Sequence, residues 1–414
     1  MVALNDILFG DVWICSGQSN MEQSMENIMN STEEIASSVH YDTIRYMIVA
    51  NTNSVNPDND ADIDVQVLWS SPASANLHSM SAVCFLFARN IQDMMAIEEQ
   101  DLIPLGMVDS DWGGTPIEAW SSRDALEKCD IDQSICDEEH PERCPSRLWN
   151  AMINPLKKAS IKGFLWYQGE SNGGNTRDLY NCTFPAMINS WRKEFSTNSF
   201  TSMNAPFGFV QLATWRADSL HNTIPVIRWH QTGDIGYAPN DLMENVFMST
   251  SLDTYDSKDG YPGGIHSRYK QIIAERLAVA GMNVAYGFSS AYSPYGPFPL
   301  SFSFDKELFN LRISYDRSFT YNNKEISGFY VCKDSADNCD NGRDVGKWPE
   351  LKKELVTIVD DTNLSINLEA FRGELKLSIG YCWRETPVVE YLGLPIYGMD
   401  PFNLPSPPWK TTVF

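Results

Sequence analysis

The chain has 414 residues, 54 acidic against 31 basic, for a net charge of −23. That balance excludes a basic nucleic-acid-binding surface as its organising feature, and a hydrophobic fraction of 43% with 12 Trp excludes a disordered chain. It leaves room for an anionic small substrate, because one local Arg outweighs a distant negative field.

The length exceeds one ordinary core and predicts two units. From the start to about residue 285, apolar β-rich segments alternate with helical patterns. Strands are predicted at Ile7 to Cys15, Thr43 to Val49, Leu102 to Val108, Ile161 to Tyr167, Phe207 to Leu212 and Val246 to Leu252. Helices are predicted at Ser81 to Met95, at Leu148 to Lys158 with an interruption at Pro155, at Phe184 to Phe195, and at Ser267 to Ala280. This alternation predicts an α/β fold, a parallel sheet flanked by helices, with its site at the carboxyl ends of the strands. After residue 286 the pattern changes to strands at Leu308 to Tyr315, Glu325 to Cys332, Leu355 to Val359 and Glu374 to Tyr381. The division expected is therefore 1–285 and a smaller β-rich part, 286–414, whose Pro-containing end is read as an irregular tail.

Nine cysteines and three sequons, at Asn30, Asn181 and Asn363, favour an oxidising compartment and a glycoprotein. Cys129, Cys136 and Cys144 share one acidic loop and Cys332 and Cys339 bracket another, so local disulfides are expected. A zinc site using His140 with the first three is the alternative, although the spacings fit no common zinc motif. No apolar run reaches transmembrane length, and Met1 to Asp6 lacks the basic start and apolar stretch of a signal peptide. The expectation is a lysosomal or secreted protein if a longer form supplies a signal, and a cytoplasmic one if this start is the true one.

Four segments at strand ends carry chemistry. Ser16-Gly17-Gln18-Ser19-Asn20-Met21 follows the first strand. A serine on a strand-to-helix turn exposes its hydroxyl at the sheet edge and aims its own N–H at a developing oxyanion. Asp111-Trp112-Gly113-Gly114-Thr115-Pro116 follows the Leu102 to Val108 strand, and its glycines let a backbone N–H approach a ligand. Trp166-Tyr167-Gln168-Gly169-Glu170-Ser171-Asn172 places amides, a carboxylate and a hydroxyl at a third strand end. Gly263-Gly264-Ile265-His266 precedes the last helix of the first part and offers a base, after a loop that holds Asp253, Asp256 and Asp259.

Together these segments resemble the sialate O-acetylesterase family, within the SGNH hydrolases. The resemblance extends to Arg228-Trp229-His230-Gln231, to Lys270, Gln271, Arg276 and Leu277, and to the tail from Gly380-Tyr381-Cys382-Trp383-Arg384 to Pro408. Family members usually carry an extra N-terminal β domain, which this chain is expected to lack. The resemblance implies Ser19 as nucleophile and His266 as base. It implies an oxyanion hole made of the Ser19 and Gly113 N–H groups and the Gln168 side chain, and no metal or cofactor. Related enzymes place an acid two or three residues before the histidine, where this chain has Gly264 and Gly263. Asp259, the nearest acid, is the first choice to orient His266, with Asp256 and Asp253 behind it. The implied substrate is an O-acetylated sialic acid, 9-O-acetyl above all, and Arg228 is a candidate for its carboxylate. A xylan-type polysaccharide acetylesterase and an inactive sugar-binding homologue are the rival readings.

Overall fold

The computed structural model describes residues 6–58, 63–174, 176–217, 219, 221–258, 264–322, 326–340 and 348–414. Seven strands among them form one sheet: β1 (Asp11–Gly17), β2 (Ile44–Val49), β3 (Val65–Ser70), β4 (Leu105–Asp111), β5 (Gly163–Tyr167), β6 (Phe207–Gln211) and β7 (Val246–Thr250), in the order β3-β2-β4-β1-β5-β6-β7. All neighbours are parallel except β3, which runs antiparallel to β2 at the edge. β1 is central, hydrogen-bonded to β4 on one side and β5 on the other. Its buried Trp-Ile-Cys run suits a strand covered on both faces.

Alternation along the strands assigns the helices to faces. Trp13 of β1 meets Phe87 of α3 (Ala82–Ile97), and Phe87 stacks on Phe247 of β7. The same face takes α7 (Lys270–Val284), packed against α3. Phe164 of β5 points the other way, to Trp191 and Phe195 of α5 (Tyr180–Asn198). Shorter helices fill the connections: α1 (Ser19–Glu22), α2 (Ser31–Ser37), α4 (Arg123–Glu127) and α6 (Thr223–His230). No helix among the described residues is long and apolar enough to cross a membrane.

The later residues form antiparallel sheets of β8 (Pro299–Asp305), β9 (Asn310–Tyr315), β10 (Phe319–Tyr321), β11 (Phe329–Cys332), β12 (Val356–Ile358), β13 (Asn363–Asn367), β14 (Ser378–Tyr381), β15 (Ile396–Gly398) and β16 (Trp409–Thr412). Leu311, Ile313, Leu364, Ile379 and Tyr381 build a second apolar core there.

Three expectations change. The first strand begins at Asp11, because Phe9 is 92% exposed and Ile7 55%. Leu148 to Lys158 is not α-helical. A π turn over Trp149–Ile153 passes into a 3₁₀ turn over Asn154–Lys158, since Pro155 has no N–H to continue an α-helix. The tail is not irregular throughout: Trp409–Thr412 adds to β14 as β16.

Disulfides join Cys15 to Cys84, Cys129 to Cys182, Cys136 to Cys144 and Cys332 to Cys339, and Cys382 is a buried thiol. The two local bridges follow the loop spacing, whereas Cys129 reaches out of its loop to α5. The zinc alternative with His140 falls, because its three cysteines have no thiolate left to offer.

Candidate active site

The carboxyl ends of β1, β4 and β5 and the loop after β7 converge on one edge of the sheet. At Gly17 the backbone takes φ +144°, and a Cβ there would lie 2.2 Å from the Tyr167 carbonyl oxygen, so only glycine lets β1 turn this closely past β5. Gln18 then accepts the Met21 and Glu22 N–H groups on its carbonyl and starts α1 with Ser19 as its first residue. Ser19 Oγ lies 2.7 Å from His266 Nε2.

Three side chains secure this pairing. Asn20 Nδ2 donates to Glu170 Oε1 at 2.6 Å and to the Ile265 carbonyl at 2.9 Å, and Lys270 Nζ donates to Asn20 Oδ1 at 2.6 Å. The serine turn, the third motif and the histidine loop are thus tied together at the residue next to each reacting group. Burial, and then the charge of Lys270, lower the His266 pKa to about 4, so the imidazole is neutral at neutral pH, as a base must be. Burial raises the Glu170 carboxyl above its ordinary value, opposed by the Asn20 hydrogen bond and the Lys270 charge.

Gly113 follows β4 and lies against the nucleophile: a Cβ added to it would come within 3.3 Å of Ser19 Cβ. Its N–H donates to Glu22 Oε2 at 2.9 Å. Beneath, Asp109 and Asp111 are buried at the end of β4. Desolvation pushes Asp109 up to about 6 and Asp111 well above the usual carboxylate range. Ser19, His266, Glu22, Glu26, Asn27 and Arg268 line an open cavity of about 570 Å³.

Other sequence-predicted residues sit elsewhere. Gln168 is fully buried, and its amide protons go to the Thr115 carbonyl at 3.1 Å and to Asn172 Oδ1 at 2.7 Å, while its Oε1 accepts the Tyr180 hydroxyl. Both N–H bonds are spent, so the oxyanion-hole role expected of it is corrected to that of a strut between the second and third motifs. Arg228 is also corrected. Its guanidinium is fully buried and donates to the carbonyls of Leu212, Ala213, Arg384 and Glu385, which leaves no access for a substrate carboxylate. Asp253 is locked between Arg276 and Tyr397, and Asp256 pairs with Arg268; neither carboxylate is available as the orienting acid. Asp259 lies outside the described residues. Sequence reasoning missed Asn20, Glu22 and Lys270 as parts of the site, although Lys270 stands only four residues after His266, at the start of α7.

A mostly parallel sheet with a serine–histidine pair at its carboxyl edge defines the class: an ester hydrolase on an SGNH-type fold. A carbohydrate acetylesterase of Xanthomonas citri has this fold, with a TM-score of 0.76 and 24% identity over 98% of this chain and 81% of that one. Residues 9–259 match the family described as carbohydrate esterase, sialic acid-specific acetylesterase, and residues 300–413 match the sialate O-acetylesterase C-terminal domain. The sialate O-acetylesterases of Pongo abelii and Homo sapiens are each 37% identical to it over 417 residues, which is 98% of this chain and 76% of theirs. The chain belongs to the sialate O-acetylesterase family.

Proposed function

We propose that the protein removes O-acetyl groups from sialic acids, the 9-O-acetyl group foremost, through an acetyl-enzyme on Ser19. The observation that carries this reading is the 2.7 Å approach of Ser19 Oγ to His266 Nε2 beside an open cavity. Ser19 attacks the acetyl carbonyl as His266 takes its proton. The oxyanion is held by the Ser19 and Gly113 N–H groups, donors fixed in place before charge develops. His266 returns the proton to the departing sugar oxygen. It then deprotonates the water that attacks the acetyl-enzyme, releasing acetate and regenerating Ser19. Asp259 is assigned the orienting role on the Nδ1 side of His266, since Asp253 and Asp256 are held by arginines.

The test is acetate release from 9-O-acetylated sialic acid by wild type and Ser19→Ala. The expected loss is on the order of 10³-fold or more, at unchanged melting temperature. Acetylated xylan serves as the comparison substrate. Preferential turnover of xylan would overturn the substrate, and activity of Ser19→Ala within a few-fold of wild type would overturn the mechanism.

A further inference from the structure

The N–H that Gly113 would offer to an oxyanion already holds a ligand from the protein itself. Glu22 Oε2 accepts it at 2.9 Å. A Cβ built on Gly113 would fall 2.5 Å from that oxygen and 3.3 Å from Ser19 Cβ, so the carboxylate sits at the nucleophile's side. The placement follows from α1: Glu22 is three residues after Ser19, on the same side of one helical turn, with its own N–H on the Gln18 carbonyl. The Glu22 side chain is exposed and lines the same cavity as Ser19 and His266. It is therefore able to turn away into solvent, unlike a buried strut. A carboxylate oxygen also matches a tetrahedral oxyanion in charge and in its demand for a backbone N–H.

We propose that Glu22 is the resident occupant of the oxyanion position, displaced by the acyl oxygen of each substrate, and that its charge restricts the site to neutral acyl groups such as acetyl. The proposal rests on the Ser19 and Gly113 reading above. No covalent step is added: one hydrogen bond to the Gly113 N–H is exchanged for another. Displacing a charge-assisted bond costs more than displacing a neutral one, so Glu22 slows even a good substrate. After displacement its charge remains in the cavity that Ser19 and His266 line. An acyl group with its own carboxylate meets that negative field.

The experiment measures kcat/KM of wild type, Glu22→Gln and Glu22→Ala on 4-nitrophenyl acetate and on the 4-nitrophenyl monoester of succinic acid. Turnover of the acetate is expected to rise in the order wild type, Gln, Ala, by up to about tenfold. The succinate ester is expected to gain at least about tenfold more than the acetate in both variants. Acetate turnover unchanged or lowered in Glu22→Gln, at an unchanged melting temperature, would overturn the proposal and make Glu22 a brace for the Gly113 turn. If Glu22→Ala does not fold, the isosteric Gln variant decides alone. Wild type inert on the aryl acetate would overturn the Ser19 reading and this proposal with it; active wild type with silent Glu22 variants overturns only the latter.

Discussion

Lys270 Nζ lies 2.6 Å from Asn20 Oδ1, with its ammonium fully buried and over the ring of Tyr167. Asn20 follows the nucleophile, and Lys270 stands four residues after the base. One buried cation thus holds the serine turn in place and biases His266 toward its neutral form.

The pH profile reports this bias. His266 accepts a proton only when neutral, so kcat/KM rises with pH through its pKa of about 4 and is flat above. Lys270→Met removes one of the two causes of the lowered value, leaving burial. The acidic limb then moves to higher pH, toward the ordinary histidine value of about 6.5. Lys270→Arg, which keeps the charge, returns it toward wild type. An acidic limb that stays in place in Lys270→Met would reduce Lys270 to a structural role.

Gln168→Ala is expected to affect stability more than chemistry. It removes three buried hydrogen bonds, to the Thr115 carbonyl, Asn172 Oδ1 and the Tyr180 hydroxyl, each worth about 0.5–1.5 kcal/mol. Asn172 Oδ1 keeps the Ile117 N–H, and the Tyr180 hydroxyl keeps the backbone carbonyl of residue 168 and the Trp166 indole N–H. Urea unfolding should show a loss of about 2–4 kcal/mol, and folded enzyme should keep kcat within about tenfold. A kcat loss of about 10²–10³ at unchanged stability, the signature of a lost oxyanion donor, would restore the role that the hydrogen bonds deny it.

The parallel sheet and the Ser19 and His266 segments were legible because each is a local pattern: an apolar run, then a turn with a reactive side chain. What was not legible depends on contacts across the chain. Asn20, Glu170 and Lys270 meet across separations of 150 and 250 residues. Cys15 reads as one more apolar residue of a buried strand, and its partner Cys84 is 69 positions away. Arg228 follows the same logic, since the carbonyls that claim it lie on the loop after β6 and the segment after β14. β3 escaped because Leu68 and Trp69 are both exposed, which breaks the alternation that marks a half-buried strand.

The disulfides should rank by the chain they close. Cys15–Cys84 spans 69 residues and pins central β1 to α3, whereas Cys136–Cys144 closes 8. Loop entropy predicts stabilisation of about 4 kcal/mol for the first and about 2.5 kcal/mol for the second. Paired Cys→Ser variants compared by denaturant midpoint test the order, and peptide mapping under non-reducing conditions tests the pairing. Equal midpoints would show that the reduced chain keeps these segments together.

The orienting acid is decided by three substitutions compared side by side. An ionised carboxylate on the far nitrogen of a catalytic histidine fixes its tautomer and stabilises the imidazolium that forms. Asp253 is buried in a bidentate pair with Arg276 and takes the Tyr397 hydroxyl as well. Breaking such a pair costs about 3–5 kcal/mol, so Asp253→Asn should lower the melting temperature while folded enzyme keeps its turnover. Asp256 is held below the ordinary carboxylate range: burial raises its pKa, but hydrogen bonds from Arg268 and from backbone N–H groups outweigh it. Asp256→Asn should therefore loosen the loop that carries His266 and raise KM before it lowers kcat. Asp259→Asn should do neither. In a triad it should leave stability intact and cost on the order of 10⁴-fold in kcat, the scale seen when a triad acid becomes an amide. Full kcat in Asp259→Asn would remove Asp259 from the mechanism and leave a serine–histidine dyad, with the tautomer set by a backbone carbonyl. A loss of kcat in Asp253→Asn at unchanged melting temperature would instead mean that its pairing with Arg276 gives way during catalysis.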